Sequence, residues 1–495
     1  MAKIGFDNKK YLEMQSAKIL ERISMFGDKL YLEFGGKLFD DYHASRVLPG
    51  FEPDSKIKML SQLKDQAEIL IAINAEDIEN GKFRSDLNIT YDLETIRLID
   101  IFRRMDFYVG SVVLTKFSPQ PRTEAFIKRL TAQGIKVYKH YAIAGYPSEV
   151  EKIVSDEGLG KNEYVITTRP LVVVTAPGPG SGKMATCLSQ IYHDYKHGIK
   201  AGYAKYETFP VWNLPLTHPV NVAYEAATAD LNDMNMIDPF HLEAYGKMSV
   251  NYNRDVEIFP VLSAMMTKIM QENIYKSPTD MGVNMAGNCI IDDEVCRQAS
   301  KQEIIRRYYT AINEARKGNC SKEVVSKIEI LMQKMQITIN DRAVVKVALE
   351  KAERTGVNCC AMQLADGTII TGKTGKLIGC SAAVLLNALK TLGNIDDSID
   401  LISSTVIEPI QKLKVEHMGS VNPRLHTDEI LVSLAVCAVT NPIAKIAINQ
   451  LSKLKGAQLH SSVILSHVDR KTFKQLGVDV TTEPTRQSDC LTTVK

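Results

Sequence analysis

Leu171-Val-Val-Val-Thr-Ala-Pro-Gly-Pro-Gly-Ser-Gly-Lys183 runs from four apolar residues into a glycine-rich turn that ends on a lysine. The apolar residues predict a short strand buried on both faces. Gly178, Gly180, Ser181, Gly182 and Lys183 break that strand, and a helix is predicted over 184–197. Strand, glycine turn and helix is the layout that points backbone N–H groups and a helix N-terminus at one anion. Lys183 adds a point charge suited to a phosphate or carboxylate oxygen. The sequence departs from a true P-loop at two places: Pro177 stands where GxxxxGK[ST] has its first glycine, and Met184 where it has the hydroxyl that holds Mg²⁺. The competing reading is a tight turn whose glycines only let strand and helix pack closely.

Around this stretch the pattern is that of an α/β layer. A helix is predicted over 8–26, then strands at 29–34, 67–74, 110–116 and 136–141, with helices at 93–105 and 123–132 between them. Strands separated by helices of this length call for crossover connections and a mainly parallel, Rossmann-like sheet. From about 232 to 335 strand-like runs nearly vanish, and helices are expected at 261–275, 293–316 and 321–335. Alternation returns from 337: a helix at 342–355, a strand at 359–364, a turn at Asp366-Gly367, and helices at 381–392 and 428–440. Three domains are therefore expected: an α/β domain at 1–231, a helical middle domain at 232–336 and a second α/β domain at 337–495.

Composition narrows the function. Hydrophobic residues at 45%, charged residues at 24% and a net charge of +2 describe a globular chain with no bulk attraction for nucleic acid or an anionic membrane. The longest apolar run, near 430–439, falls short of a membrane span, and the first residues lack a signal-peptide core. The nine cysteines contain no Cys-x-x-Cys pair, which predicts free thiols, a cytoplasmic location and no paired-cysteine zinc site.

Three loops are candidates to meet at the carboxyl end of the parallel sheet: Gly35-Gly36-Lys37, Asn74-Ala-Glu-Asp77 and the 178–183 turn. Just beyond the first, Asp40, Asp41, His43 and Arg46 supply carboxylates, an imidazole and a guanidinium. Asp40, Asp41 and His43 are the candidate catalytic groups; Lys37, Gly178, Gly180, Ser181, Gly182 and Lys183 are the candidate binding groups. His218, Glu225, Asp230, Asp233, Asp238 and His241 form a second polar set whose carboxylates suit Mg²⁺ and whose histidines suit a transition metal; the favoured reading is structural, with helix caps accounting for Asp230 and Asp238, since Asp238 precedes Pro239. A third set joins the Thr371-Gly-Lys-Thr-Gly-Lys376 turn with Asn422, Arg424, His426, Asp428 and Glu429. Zinc-protease, serine-hydrolase and deaminase motifs are absent from the sequence.

Phe34-Gly-Gly-Lys-Leu-Phe-Asp-Asp-Tyr-His-Ala-Ser-Arg-Val-Leu-Pro-Gly50, the Ala176–Lys183 turn, Asn232-Asp-Met-Asn-Met-Ile-Asp-Pro-Phe-His241 and the Thr371–Lys376 turn together resemble the DUF1846 (UPF0371) family of bacterial proteins. The resemblance spans nearly the whole chain and implies no particular chemistry. It implies an α/β N-terminal part, a helical middle and a C-terminal three-layer α/β domain whose topology is similar to the cytidine-deaminase class. The function expected from these readings is a cytoplasmic enzyme that binds a nucleotide or another phosphorylated small molecule at 178–183. The alternative is a non-catalytic metabolite-binding or assembly protein with structural glycine turns. A homo-oligomer is expected, with no nucleic-acid or membrane partner; no cofactor is assigned.

Overall fold

The computed structural model describes residues 3–27, 29–36, 38–39, 41–84 and 89–486. The chain divides into two compact units: Ile4–Glu225 with Asn232–Ser300, and Lys301–Lys495 with Met1–Lys3 and Ala226–Leu231. The first unit is built on a seven-stranded parallel sheet, and the fold as a whole is mixed α/β.

Seven strands make that sheet: β1 (Leu30–Phe34), β2 (Ala67–Asn74), β3 (Tyr108–Thr115), β4 (Lys136–Lys139), β5 (Leu171–Thr175), β6 (Gly202–Tyr206) and β7 (Gly282–Val283). Their order across the sheet is β7-β6-β1-β5-β2-β3-β4. Every residue of β1, β2 and β5 is buried, which is why these strands read as continuous apolar runs rather than alternating ones. Glu68 interrupts the pattern in β2, and its carboxylate accepts from Thr168 N–H at 2.8 Å. Gly110 on β3 makes the room: a Cβ there would collide with the Glu68 carboxylate. The chain leaves β2 toward β3 and leaves β5 toward β6, in opposite directions, so a crevice is expected beyond the carboxyl ends of these central strands.

Stretch 232–300 is not all helix. Asn235–Ile237 and Val250–Tyr252 pair as an antiparallel ribbon, and β7 joins the edge of the main sheet beside β6. Runs of two or three residues are too short to show a period, so sequence reading passes over them. The helices Asn253–Met270, Asp293–Arg316 and Lys322–Lys334 lie close to where the apolar spacing places them. Ser300 and Lys301, where the two units meet in sequence, fall inside Asp293–Arg316.

The second unit holds a four-stranded sheet of β8 (Cys359–Gln363), β9 (Ile369–Lys373), β10 (Gln458–Ser461) and β11 (Asp479–Thr482), in the order β9-β8-β10-β11. β8 is antiparallel to both neighbours, and β10 and β11 are parallel. Alternation along β8 splits its side chains between two layers. Ala361 packs with Val344 and Ala348 of the helix Ala343–Thr355, whereas Cys360 and Met362 join the core under the helix Cys380–Leu392. Among the described residues, no helix is long and apolar enough to cross a membrane.

Candidate functional site

β1, β5 and β2 are neighbours and parallel, so the three loops singled out in the sequence leave the same edge of one sheet. The loop after β2 is consumed locally: Asn74 Oδ1 accepts from Glu76 N–H at 3.0 Å and caps a short helix. The turn after β5 is built tightly. Gly180 and Gly182 have φ of 78° and 83°, left-handed values that favour glycine. A Cβ on Gly182 would lie 2.9 Å from the Thr115 side chain, and one on Gly178 would collide with the Tyr91 hydroxyl. Ser181 Oγ donates to Gly178 O at 2.9 Å, and Ser181 O accepts from Thr115 Oγ1 at 2.8 Å. The N–H groups of Gly180, Ser181 and Gly182 donate to no acceptor among the described residues. They stand at the start of the helix Lys183–Lys196, whose positive end favours an anion.

Lys183 Nζ lies 3.8 Å from Glu33 Oε1, and neither side chain is more than 16% exposed. Glu33 also accepts from the Tyr203 hydroxyl at 2.7 Å. Glu33 and Lys205 are register partners on β1 and β6, so they share a face of the sheet. Lys205 Nζ lies 2.8 Å from Glu207 Oε1 and 2.5 Å from Asp255 Oδ2, the latter in the first turn of the helix Asn253–Met270. Met184, Tyr203, Lys205, Glu207, Asn251 and Asp255 line one narrow cleft of about 20 Å³, room for a single water. Burial pushes the Glu207 carboxyl up to about 6; Lys205 opposes the rise, and the Asp255 and Glu33 charges add to it. The same two carboxylates and Glu207 outweigh burial at Lys205 and raise its ammonium above the ordinary lysine range. A carboxyl raised by burial beside a fixed cation suits proton transfer.

This acid–base cluster was missed in the sequence reading, although a signal existed. Lys205 and Glu207 stand two apart at the end of a buried strand, and Glu33 sits inside Leu-Tyr-Leu-Glu-Phe34. Charges at interior positions of a parallel strand are costly unless paired, so they mark a built site.

Asp41 and His43 stand elsewhere. Asp41 caps the helix Tyr42–Val47 by accepting from Ala44 N–H at 3.1 Å, and Lys56 Nζ lies 2.7 Å from its other oxygen. Burial would raise the Asp41 carboxyl, but the charge and hydrogen bond of Lys56, the Ala44 N–H and His43 together outweigh it and hold the carboxyl low. His43 meets the rings of Phe209 and Tyr224 edge-on at 5.2 and 5.3 Å. Lys56 also lies 5.9 Å from the Tyr206 ring centre, and strand alternation turns Tyr206 away from Lys205. The Asp41–Lys56 pair therefore sits with residues of the opposite face of β6 from Glu33, Lys205 and Glu207. Lys37 and Asp40 lie outside the described residues.

The second polar set is dispersed among separate partners. His218 Nε2 lies 2.9 Å from Asp293, Asp233 pairs with Arg254 at 3.2 Å, and Glu225 accepts from Asn235 at 3.2 Å. Asp238 caps the helix Pro239–Tyr245 and accepts from Thr279 Oγ1 at 2.7 Å, as the Asp-Pro pair predicts. In the third set His426 and Glu429 form the capping box of the helix Thr427–Cys437, and Arg424 Nε donates to Gly375 O at 2.8 Å.

Fold and site define a class: an α/β protein with a parallel sheet whose carboxyl edge carries a glycine–lysine turn and a buried acid–base cluster. The chain belongs to the DUF1846 family. Residues 4–336 match Domain of unknown function DUF1846, N-terminal, and residues 340–491 match its C-terminal counterpart. It is 56% identical over 487 residues to UPF0371 proteins of Streptococcus pyogenes serotypes M5 and M18, covering 98% of this chain and 99% of each relative. A UPF0371 protein of Streptococcus thermophilus is also 56% identical, over 491 residues and 99% of both chains.

Proposed function

We propose that the protein is an enzyme acting on a phosphorylated small molecule, a nucleotide among the candidates. Its phosphate is held by the N–H groups of Gly180, Ser181 and Gly182 and by Lys183, with Gly178 shaping the turn. The observation that carries this reading is the meeting, at one sheet edge, of an anion-ready helix start with a carboxyl raised to about 6. Glu207 is the proton-transferring group in this proposal, and Lys205 and Asp255 fix its orientation. Asp41 and His43 take no part in the chemistry in this proposal, given the partners they already have on the other face of the sheet.

The finer parts of the reading rest on separate observations. Free thiols at all eight described cysteines favour the cytoplasm. The hairpin-then-parallel order of the second sheet, with helices on both faces, supports the cytidine-deaminase-like topology. One observation favours the non-catalytic alternative: Gly178 and Gly182 are each explained by close packing on Tyr91 and Thr115.

The two readings part on ligand binding. A thermal-shift screen of nucleotides and sugar phosphates on the full chain should yield a stabilising ligand that also protects Lys183 from amine modification. A blank screen at millimolar ligand, with Lys183 equally reactive throughout, overturns the enzyme reading.

A further inference from the structure

The helix Thr427–Cys437 is apolar on two faces, and the fold of the second unit covers one of them. Ile430 and Leu434 are buried in the core, whereas Val432 and Val436 are each 66% exposed. Val439, in the turn that follows, is 83% exposed. With Ala435, also exposed, these positions follow the spacing i, i+3, i+4, i+7, a single stripe along the helix surface. No charged residue stands between Glu429 and Lys445. A solvent-facing stripe ordinarily carries charges, and a helix that is hydrophobic all round is one that is covered all round.

Neighbouring elements widen the stripe into a patch. Lys414 Nζ donates to Glu429 Oε2 at 2.7 Å and to Arg424 O at 2.9 Å, which ties the segment Leu413–His417 to the first turn of the helix. Glu429 is one turn before Val432, so this segment adjoins the stripe on its own side. Leu413 and Val415 flank Lys414 and are exposed, as are Met418 and Val421 just beyond them. Past Val439, the helix Pro442–Ile448 adds an exposed Ile446. At ~80 Å² of open side chain apiece, these residues present roughly 600 Å² of apolar surface, approaching the ~800 Å² that each copy contributes to a stable dimer.

We propose that this patch is the contact face of a homodimer, in which the Thr427–Cys437 helices of two copies pack antiparallel across a two-fold axis near Ala435 and Val436. Val432 then meets Val439 of the partner subunit, and symmetry supplies the reverse contact. Ala435, at the centre, lets the two helices approach closely. Charge singles out a second copy as the occupant. Asp428 is exposed at the start of the helix and Lys445 is exposed beyond the far end of the stripe, and neither has an ion-pair partner among the described residues. Antiparallel packing brings Asp428 to the end that carries Lys445 of the partner subunit, twice in each dimer, and sets the two helix dipoles in opposite directions.

Sedimentation velocity of the full chain over a dilution series should show a dimer in reversible equilibrium with its monomer. Val436 faces solvent in the single chain, so Val436→Lys should keep its circular dichroism spectrum. Its dimer Kd should nevertheless rise about a hundredfold or more, because the interface would bury two unpaired ammonium groups. Ile330→Lys, at an exposed position on the helix Lys322–Lys334, should leave the Kd unchanged. Asp428→Lys should weaken the dimer about tenfold, and Asp428→Lys with Lys445→Asp should restore it. A native chain that stays monomeric overturns the proposal, and its flotation with phosphatidylglycerol vesicles would assign the patch to a membrane surface instead. A dimer that Val436→Lys leaves undiminished overturns it equally, and failure of the double charge swap to restore the dimer overturns the antiparallel pairing.

Discussion

Lys183 is the residue at which binding and folding separate most cleanly. Its ammonium sits 3.8 Å from Glu33, too far for a strong hydrogen bond, so it is held near the helix start and remains available to an oxyanion. A charge-assisted bond is worth roughly 1.5–3 kcal/mol, and ~1.4 kcal/mol is one decade of affinity. Lys183→Ala is therefore expected to weaken a phosphorylated ligand about tenfold or more by calorimetry, with the melting temperature nearly unchanged. A variant that unfolds would make the lysine structural. Asp469 shows the opposite balance. Burial alone would raise its carboxyl, but hydrogen bonds from His426, Ser466 and Thr427 N–H hold it down at about 2 from an ordinary 3.8. A lowered carboxyl contributes stability that is complete above the unfolded value and is lost as pH falls toward the folded one. At ~1.4 kcal/mol per unit this amounts to about 2 kcal/mol, disappearing between about pH 4 and pH 2. Urea unfolding at pH 6 and pH 2.5 should show that loss in the native chain and not in Asp469→Asn. Equal pH dependence in the two would refute the assignment.

Elements meet through glycines at the points where backbones touch. β9 and the helix Cys380–Leu392 are so close that Gly372 admits no Cβ without moving the Val384 backbone. Overpacking against backbone costs about 1–3 kcal/mol, so Gly372→Ala should lower the denaturation midpoint accordingly. An unchanged midpoint would mean the helix can shift freely. The sequence reads Gly372 only as part of a lysine-bearing turn. Its packing role depends on a helix that begins eight residues later, and single-chain patterning carries no record of which elements press together. The 178–183 turn is legible for a different reason: the left-handed backbone of Gly180 and Gly182 is a local demand of the turn between strand and helix.

At the scale of the whole molecule, the expected division at 231 and 336 and the observed contacts place the chain's seams differently. β7 belongs to the main sheet, and residues 232–300 group with the first unit. Within the second unit Asn313 Nδ2 donates to Thr482 O at 2.8 Å, Tyr309 hydroxyl donates to Glu483 at 3.0 Å, and Arg342 Nη2 donates to Asp479 O at 2.8 Å. Residues 276–290 are largely buried, whereas Gln336, Thr338, Asn340 and Asp341 are exposed in the connection that follows the helix Lys322–Lys334. Limited proteolysis is expected to cut first at 335–342, and the nicked fragments should stay associated through the Asn313 and Tyr309 contacts. A first cut within 276–290 would favour a helical domain that folds separately, and a first cut inside β2 or β5 would contradict both divisions.

What the sequence determined by itself is whatever local periodicity and turn chemistry control: the buried runs of β2 and β5, the glycine–lysine turn between strand and helix, the Asp238 cap and the long helix Asp293–Arg316. Each is specified by residues within a few positions of one another, so one chain suffices to read it. Only the tertiary structure decided which charges are paired. Glu33, Lys183, Lys205, Glu207 and Asp255 are scattered over more than two hundred positions, and register between β1 and β6 is what sets Glu33 beside Lys205. A pair interaction between distant residues depends on burial and on strand order, and both arise only when the whole sheet closes around them.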